Sequence, residues 1–245
     1  MARILCIETS ASALSVCLAE DGRVLADRVC TEPRQQAALT APLVKEVLDA
    51  AGLSVKDCGA VCVSAGPGSY TGLRVGASTA KGLAFGAGIP LLAVGTLDVL
   101  VAGVIGAQRL RGSGGIAPQS VEDSIGHGNN RWIVPMLDAR RMEVYTAVYT
   151  PDGKRITPIE AHVVTAESFA AQRAEGKVLF IGDGALKCRE VLGNDGIFVD
   201  AQPLARNMVP LAFEAFEAGK FEDVAYFEPF YLKDFVATVS KKQLW

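Results

Sequence analysis

Residues 66–76 read Gly-Pro-Gly-Ser-Tyr-Thr-Gly-Leu-Arg-Val-Gly, four glycines in eleven positions directly after the apolar run Ala60-Val61-Cys62-Val63. This is the order of a strand entering a tight turn and then a helix, and backbone N–H groups at such a helix start can face a phosphate or a carboxylate. Gly66, Gly68, Ser69, Thr71 and Gly72 are therefore the candidate nucleotide or anion loop. The neighbouring sequence lacks what catalysis would add. Ser69 follows Gly68 directly, so the segment is not the Gly-x-Ser-x-Gly nucleophile turn. Lys81 lies too far along the helix for a Walker lysine. Ser69 and Thr71 read more simply as helix caps. The hydroxyls of Thr9, Ser10, Ser69 and Thr71 would each need an adjacent base, and the chain has only two histidines, His127 and His162. These lie far apart, and neither has a second histidine at ligand spacing, so no metal site is expected. His127 reads as a solvated loop residue and His162 as a strand residue with a local hydrogen bond.

Two carboxylates end strand-like runs, Glu8 and Asp138, and acids at strand ends can flank a cleft. They can equally cap a turn or pair with Arg140 or Arg141, and that structural reading is preferred. Gly182-Asp183-Gly184-Ala185 is a second strand–glycine–helix turn. The residues so far predict no catalytic group.

The chain has 245 residues, half of them hydrophobic, and a formal charge of −3. This composition excludes a disordered protein and makes a poor stand-alone nucleic-acid binder, since such binding draws on cationic side chains. The pair Lys241-Lys242 is too short to change that. Cys6, Cys17 and Cys62 sit in apolar runs, and Cys30, Cys58 and Cys188 lack Cys-x-x-Cys spacing. Reduced thiols in a cytoplasmic protein are expected. Met1-Ala2-Arg3 enters a strand at once, so no signal peptide is expected. Gly82–Gln108 holds one charged residue, Asp98, and is long enough for a bilayer of about 30 Å. Gly86, Gly88 and Pro90 divide it into helix, turn, strand and helix, with Thr96 and Asp98 at the second helix cap, and no membrane association is expected.

The first thirty residues predict a β-meander, with strands over 4–8, 14–19 and 24–29 and a hairpin turn at Asp21-Gly22. Residues 132–160 repeat it, with strands over 133–137, 143–149 and 154–159 and a turn at Asp152-Gly153. Glu8 stands 13 positions before one turn aspartate and Asp138 stands 14 before the other. The pattern predicts an internal duplication. Residues 36–51 predict a helix ended by Gly52, with apolar residues over an arc of about 200°, wider than one buried face needs. The helix after the glycine loop, about 71–85, is rich in small residues, which suit either tight internal packing or an interface with another subunit. Residues 106–131 predict a Gly/Ser-rich insertion between an N-terminal lobe, 1–105, and a C-terminal lobe, 132–245.

Ile4-Leu5-Cys6-Ile7-Glu8-Thr9-Ser10, the glycine loop 66–76, Leu137-Asp138-Ala139-Arg140-Arg141 with Glu143-Val144-Tyr145, Gly182-Asp183-Gly184-Ala185 and Pro229-Phe230-Tyr231-Leu232-Lys233 together resemble the TsaB (YeaZ) family. They follow the family order along almost the whole chain. The resemblance implies an α/β, duplicated actin/Hsp70-like (ASKHA, ribonuclease H-like) fold with two similar lobes. It further implies a non-catalytic subunit that binds and supports TsaD, which transfers threonylcarbamoyl to adenosine 37 of tRNA, and that recruits the ATPase TsaE. The implied interface is a four-helix contact centred on Leu39, Leu43, Val47, Leu73, Ala77 and Ala80, open to self-association when TsaD is missing. No cofactor of its own is implied, with ATP or ADP at the partner interface left open, and tRNA is met only through the complex. The chain departs from the family pattern at Glu8, where Asp-Thr-Ser is usual, at Gln36, where histidine is usual, and in a long insertion. TsaD carries a His-x-x-x-His pair that is absent here. Rival readings are an ASKHA ATPase or kinase with its own nucleotide site, and a glycoprotease-like peptidase.

Overall fold

The computed structural model describes residues 1–112, 132–194 and 196–233. It contains two five-stranded mixed sheets of the same plan. The first has β1 (Arg3–Glu8), β2 (Leu14–Glu20), β3 (Arg23–Cys30), β4 (Ala60–Gly66) and β5 (Leu91–Gly95) in the order β3-β2-β1-β4-β5. The second has β6 (Trp132–Asp138), β7 (Glu143–Thr146), β8 (Glu160–Val163), β9 (Val178–Ile181) and β10 (Ile197–Val199) in the order β8-β7-β6-β9-β10. In each, the first three strands form an antiparallel meander and the last two run parallel to the first. The expected duplication is a duplication of topology.

The first meander turns at Asp21 and Gly22, both with positive φ, the conformation a two-residue hairpin requires. The second meander differs from expectation. The turn at Asp152-Gly153 forms, but its flanks join by single bridges, Tyr149 to Arg155, and residues 154–159 are not a strand. The third strand is β8, which pairs in register with β7 from Glu143↔Val163 to Thr146↔Glu160. The Asp152 turn is thus an excursion inserted before the strand that completes the sheet.

Helix α1 (Gln36–Ala51) ends at Gly52 in the left-handed conformation, and α2 (Tyr70–Ala87) ends the same way at Gly88, a position glycine fills without strain. Both pack on one face of the first sheet, where Leu5, Ile7, Val16, Val61 and Val63 meet Leu43, Val44, Val47, Ala77 and Ala80. The other face of that sheet receives α6 (Ala205–Glu217), through Met208, Val209 and Ala212. Helix α3 (Thr96–Gly112) covers the near face of the second sheet with Leu97, Leu100, Val101 and Val104. Two shorter helices belong to that sheet's far side, α4 (Ala170–Glu175) and α5 (Ala185–Leu192). Ala185, Cys188 and Leu192 of α5 join that face's core. The layers therefore run α1/α2, first sheet, α3/α6, second sheet, α5.

This layering crosses the sequence boundaries at 105 and 132. Helix α3, from the first half, packs on the second sheet. Helix α6, from the second half, packs on the first. Residues 106–112 belong to α3; the remainder of the expected insertion, His127 and Lys241-Lys242 lie outside the described residues. No described helix is long and apolar enough to cross a membrane.

The start of α6 is held from the opposite end of the chain. The buried Ser15 hydroxyl of β2 accepts the Ala205 N–H at 2.8 Å, a cap that α6 has no side chain of its own to supply, and Arg206 pairs with Asp27 at 2.7 Å. Ser15→Ala leaves that N–H buried and unpaired, so the expected loss is about 1–2 kcal/mol in urea unfolding.

Candidate functional site

At the carboxyl end of β1 the chain turns through Glu8, Thr9 and Ser10, all three buried. The Glu8 Oε1 atom accepts the Ser10 N–H and the Ser64 hydroxyl of β4, each at 2.7 Å. Its Oε2 has no partner among the described residues. Burial pushes the carboxyl above its ordinary range, opposed by the hydrogen bonds from Ser10 and Ser64, because a charge removed from water is disfavoured unless fully paired. Gln36, at the start of α1, donates its side-chain amide to the Ala11 and Ser12 carbonyls at 3.1 and 3.2 Å. The departure from histidine thus ties α1 to the same turn.

The glycine loop lies directly on this turn. Ser69 N–H donates to the Ser10 carbonyl at 2.6 Å, and the Thr9 hydroxyl donates to the Gly72 carbonyl at 2.8 Å. A Cβ built on Gly68 would stand 2.4 Å from the Ser10 carbonyl oxygen, one on Gly72 2.0 Å from that of Thr9, and one on Gly76 2.3 Å from the Thr9 hydroxyl. The space a side chain would fill at these three glycines holds the chain's own β1–β2 turn. Ser69 caps α2, accepting the Gly72 N–H at 3.3 Å. Thr71 lies one residue inside the helix, exposed, and is not the cap. On its other side Gly66, at φ +103°, faces the Phe230 carbonyl, which a Cβ would approach to 2.7 Å, while the Phe230 N–H donates to Ala65 at 2.7 Å.

In the second sheet, Asp138 closes β6 in the corresponding place. Its Oδ1 accepts the Arg140 N–H at 2.8 Å and pairs with Lys187, so it caps a turn as expected but takes a lysine of α5 rather than an arginine. Lys187 also donates to the Arg141 and Glu143 carbonyls at 2.7 and 2.8 Å. Asp183 accepts the Asp138 N–H at 2.8 Å; burial and nearby Asp138 push its carboxyl up. Gly182 and Gly184 press on the Met136 carbonyl as the first loop's glycines press on Thr9 and Ser10. The tail joins the halves: Tyr231 meets the Tyr70 ring at 4.9 Å, and Lys233 pairs with Glu143.

Residues 32–112 match the family described as TsaD: tRNA N6-adenosine threonylcarbamoyltransferase, a stretch that runs from α1 through α3. Two Pseudomonas aeruginosa crystal structures share the fold, one described as YeaZ and one as an uncharacterized protein similar to peptidase YeaZ. Their TM-scores are 0.71 and 0.75, at 24% identity over 95% of this chain and all of each of those. The tRNA threonylcarbamoyladenosine biosynthesis protein TsaB of Escherichia coli K12 is 32% identical over 244 residues, 96% of each chain. The chain belongs to the TsaB family. TsaB of Bacillus subtilis is 29% identical over 79% of this chain and 78% of its own.

The six residues expected at a partner interface lie on the inner sides of α1 and α2. Leu43, Val47, Leu73, Ala77 and Ala80 are buried, and Leu39 is half-buried against the same core. They hold α1 and α2 to the first sheet and do not face outward. The exposed positions of the two helices are others, among them Ala37, Ala41, Ser78, Gly82 and Phe85. The 200° arc overestimated what is free because the sheet and α2 both take part of it. Thr96 also departs from expectation: its hydroxyl caps nothing and has no partner among the described residues. Asp98 accepts the Tyr149 hydroxyl at 2.7 Å and stands 3.8 Å from Arg155, linking α3 to the Asp152 excursion.

His162 does hold a local hydrogen bond. Its ring stands 3.1 Å from Glu160 Oε1 and 2.8 Å from Ser168 Oγ, a carboxylate–histidine–serine alignment that the sequence reading missed. Ser168 is 6% exposed and its oxygen accepts the Thr165 N–H at 2.9 Å, so the set closes the turn before α4. All six cysteines are free. The hydrogen bond with Cys62, with burial, holds the Cys6 thiol well above its ordinary range, and burial raises Cys58 to about 11, which keeps both from the thiolate form that reacts.

Gly72→Ala forces Cβ against the Thr9 carbonyl, and a loss of about 2–3 kcal/mol is expected by chemical denaturation. For Glu8, whose folded pKa is raised, the stabilising contribution is complete below the ordinary glutamate pKa of 4.5 and is lost as pH rises through the folded pKa. Glu8→Gln, which keeps the Oε1 acceptor without charge, should therefore gain on the wild type from pH 4.5 upward. Melting curves across that range check it, and a constant difference would overturn the assignment.

Proposed function

We propose that this chain serves tRNA threonylcarbamoyladenosine biosynthesis as a non-catalytic subunit that pairs with a TsaD-like transferase through the outer side of α1 and α2. The observation that carries the reading is the surface between these helices. A hollow of about 340 Å³ is lined by Ala41, Val44, Leu48, Leu53, Val55 and Leu83, among others, and a second of about 260 Å³ continues past Gly82 and Gly86. Beside them Phe85 is 82% exposed, and a Cβ on Gly82 or Gly86 would meet nothing within 4 Å. An exposed aromatic beside side-chain-free helical surface suits close approach of another helix pair and an aromatic anchor.

The engagement of both strand-end acids supports the non-catalytic part of the reading. Glu8, Thr9 and Ser10 are sealed under the glycine loop, and Asp138 is engaged by Lys187 and the backbone. The same reading places any nucleotide, ATP or ADP, at the partner interface; the close packing of Gly68 and Gly72 on Ser10 and Thr9 supports this over a site in the loop of Gly66, Gly68, Ser69, Thr71 and Gly72. The pair recruits a TsaE-like ATPase and meets tRNA as a complex in the cytoplasm. Without its partner, the chain self-associates through the same surface.

Co-expression with a TsaD-like subunit tests this. Phe85→Ser should weaken pairing by about 2 kcal/mol or more, some thirty-fold, at an unchanged melting temperature. Leu43→Asp should instead unfold the chain, because Leu43 belongs to its own core. Equal pairing by the Phe85 variant and the wild type in gel filtration would overturn the interface.

A further inference from the structure

A strip of aromatic and cationic side chains begins at the N-terminal end of α2, about 16 Å along the helix from Phe85, and continues along the tail to the second sheet. Arg74, in the second turn of α2, lies with its guanidinium carbon 5.2 Å from the centre of the Tyr70 ring. Tyr70 meets Tyr231 at 4.9 Å and 46°. Two residues along the tail, the Lys233 ammonium lies 5.8 Å from the centre of the Tyr145 ring and 3.5 Å from the Ala139 carbonyl. Ala139 leads into Arg140 and Arg141, both exposed and both held at positive φ, 70° and 53°. An extended residue spans about 3.5 Å, so the Tyr231–Lys233 link places the two lobes' parts of the strip within a few nucleotides' reach.

Lys233 is paired with Glu143 and Lys187 with Asp138. Arg74, Arg140 and Arg141 have no carboxylate within ion-pair distance among the described residues. On a chain of net charge −3, these three arginines, one over the half-buried Tyr70 ring and two directly after Ala139, whose carbonyl Lys233 reaches, are a local reversal of sign. Tyr231 is 38% exposed and its neighbour Phe230 46%, so ring surface is open beside the cations. Unpaired bases stack on such rings while arginines take the phosphates. An acidic peptide would use the cations and leave the ring faces idle.

We infer that this strip binds single-stranded RNA, the loop of the tRNA brought to the complex, with Arg74, Arg140 and Arg141 on phosphates and Tyr231 under a base. The inference rests on the pairing proposed above, and it gives this subunit a direct hold on the substrate.

The test is tRNA binding by the paired complex, read by fluorescence anisotropy over a series of salt concentrations. Arg74→Gln and Arg140→Gln should each weaken binding several-fold and reduce the salt slope by about one. Tyr231→Ala should weaken it about five-fold or more at an unchanged slope, and Tyr231→Phe should restore it. Unchanged affinity and slope in the combined Arg74→Gln, Arg140→Gln, Tyr231→Ala variant, with pairing intact in gel filtration, would overturn the strip. If the wild type does not pair, the interface reading fails, and the same variants on the isolated chain with tRNA at low salt decide the strip: loss of binding supports it and insensitivity overturns it.

Discussion

The contact on which the rest of the structure depends is the one between the backbone turn after β1 and the glycine face of α2. The Thr9 and Ser10 carbonyls stand where side chains would be on Gly72 and Gly68, and the Thr9 hydroxyl stands where one would be on Gly76. Such an approach is open only to a helix start without Cβ atoms. It seals Glu8 from water, fixes α2 at the depth where Ala77 and Ala80 reach the sheet, and presents the opposite side of α2 to solvent. Both the sealed acid and the exposed helix surface follow from this one close approach.

The second half repeats the device with weaker means. Gly182 and Gly184 approach the Met136 carbonyl, and Asp138 closes its strand as Glu8 closes β1, but Asp138 remains exposed and meets a lysine. The same topology thus yields a buried, uncharged-leaning acid in one lobe and a solvated ion pair in the other. Surface ion pairs of that sort contribute little to stability. The asymmetry leaves the first lobe's acid sealed beneath α2 and the second lobe's open to solvent.

Much of this was legible in the sequence because local signals carry it. The turns at Asp21-Gly22, Gly52 and Gly88 depend on residues tolerant of positive φ, and α1 was bounded to the residue. The glycine loop is legible as strand, turn and helix, while its use for close approach is seen only in the Cβ distances at Gly68, Gly72 and Gly76. What could not be read depends on distant partners. The third strand of the second meander moved to Glu160–Val163 because a turn signal does not say which later segment completes the sheet. The burial of Leu43, Val47, Leu73, Ala77 and Ala80 in the chain's own core was not legible because apolar periodicity counts a helix's apolar residues without saying what each one meets. The Phe230 and Tyr231 contacts, and the Glu160–His162–Ser168 set, join segments whose meeting no spacing rule encodes.

The crossing of the two halves sets an order of assembly. The face of the first sheet made by Ile4, Cys6, Cys62 and Leu92 is finished by Met208, Val209 and Ala212, on a helix translated some hundred and forty residues after β4. A nascent chain that has left the ribosome through β5 has all five strands of its first sheet and still lacks that cover. Its apolar face is then open to chaperones, or to a second nascent chain, until α6 emerges. The cover of the first sheet therefore arrives only after every strand of the second has been translated.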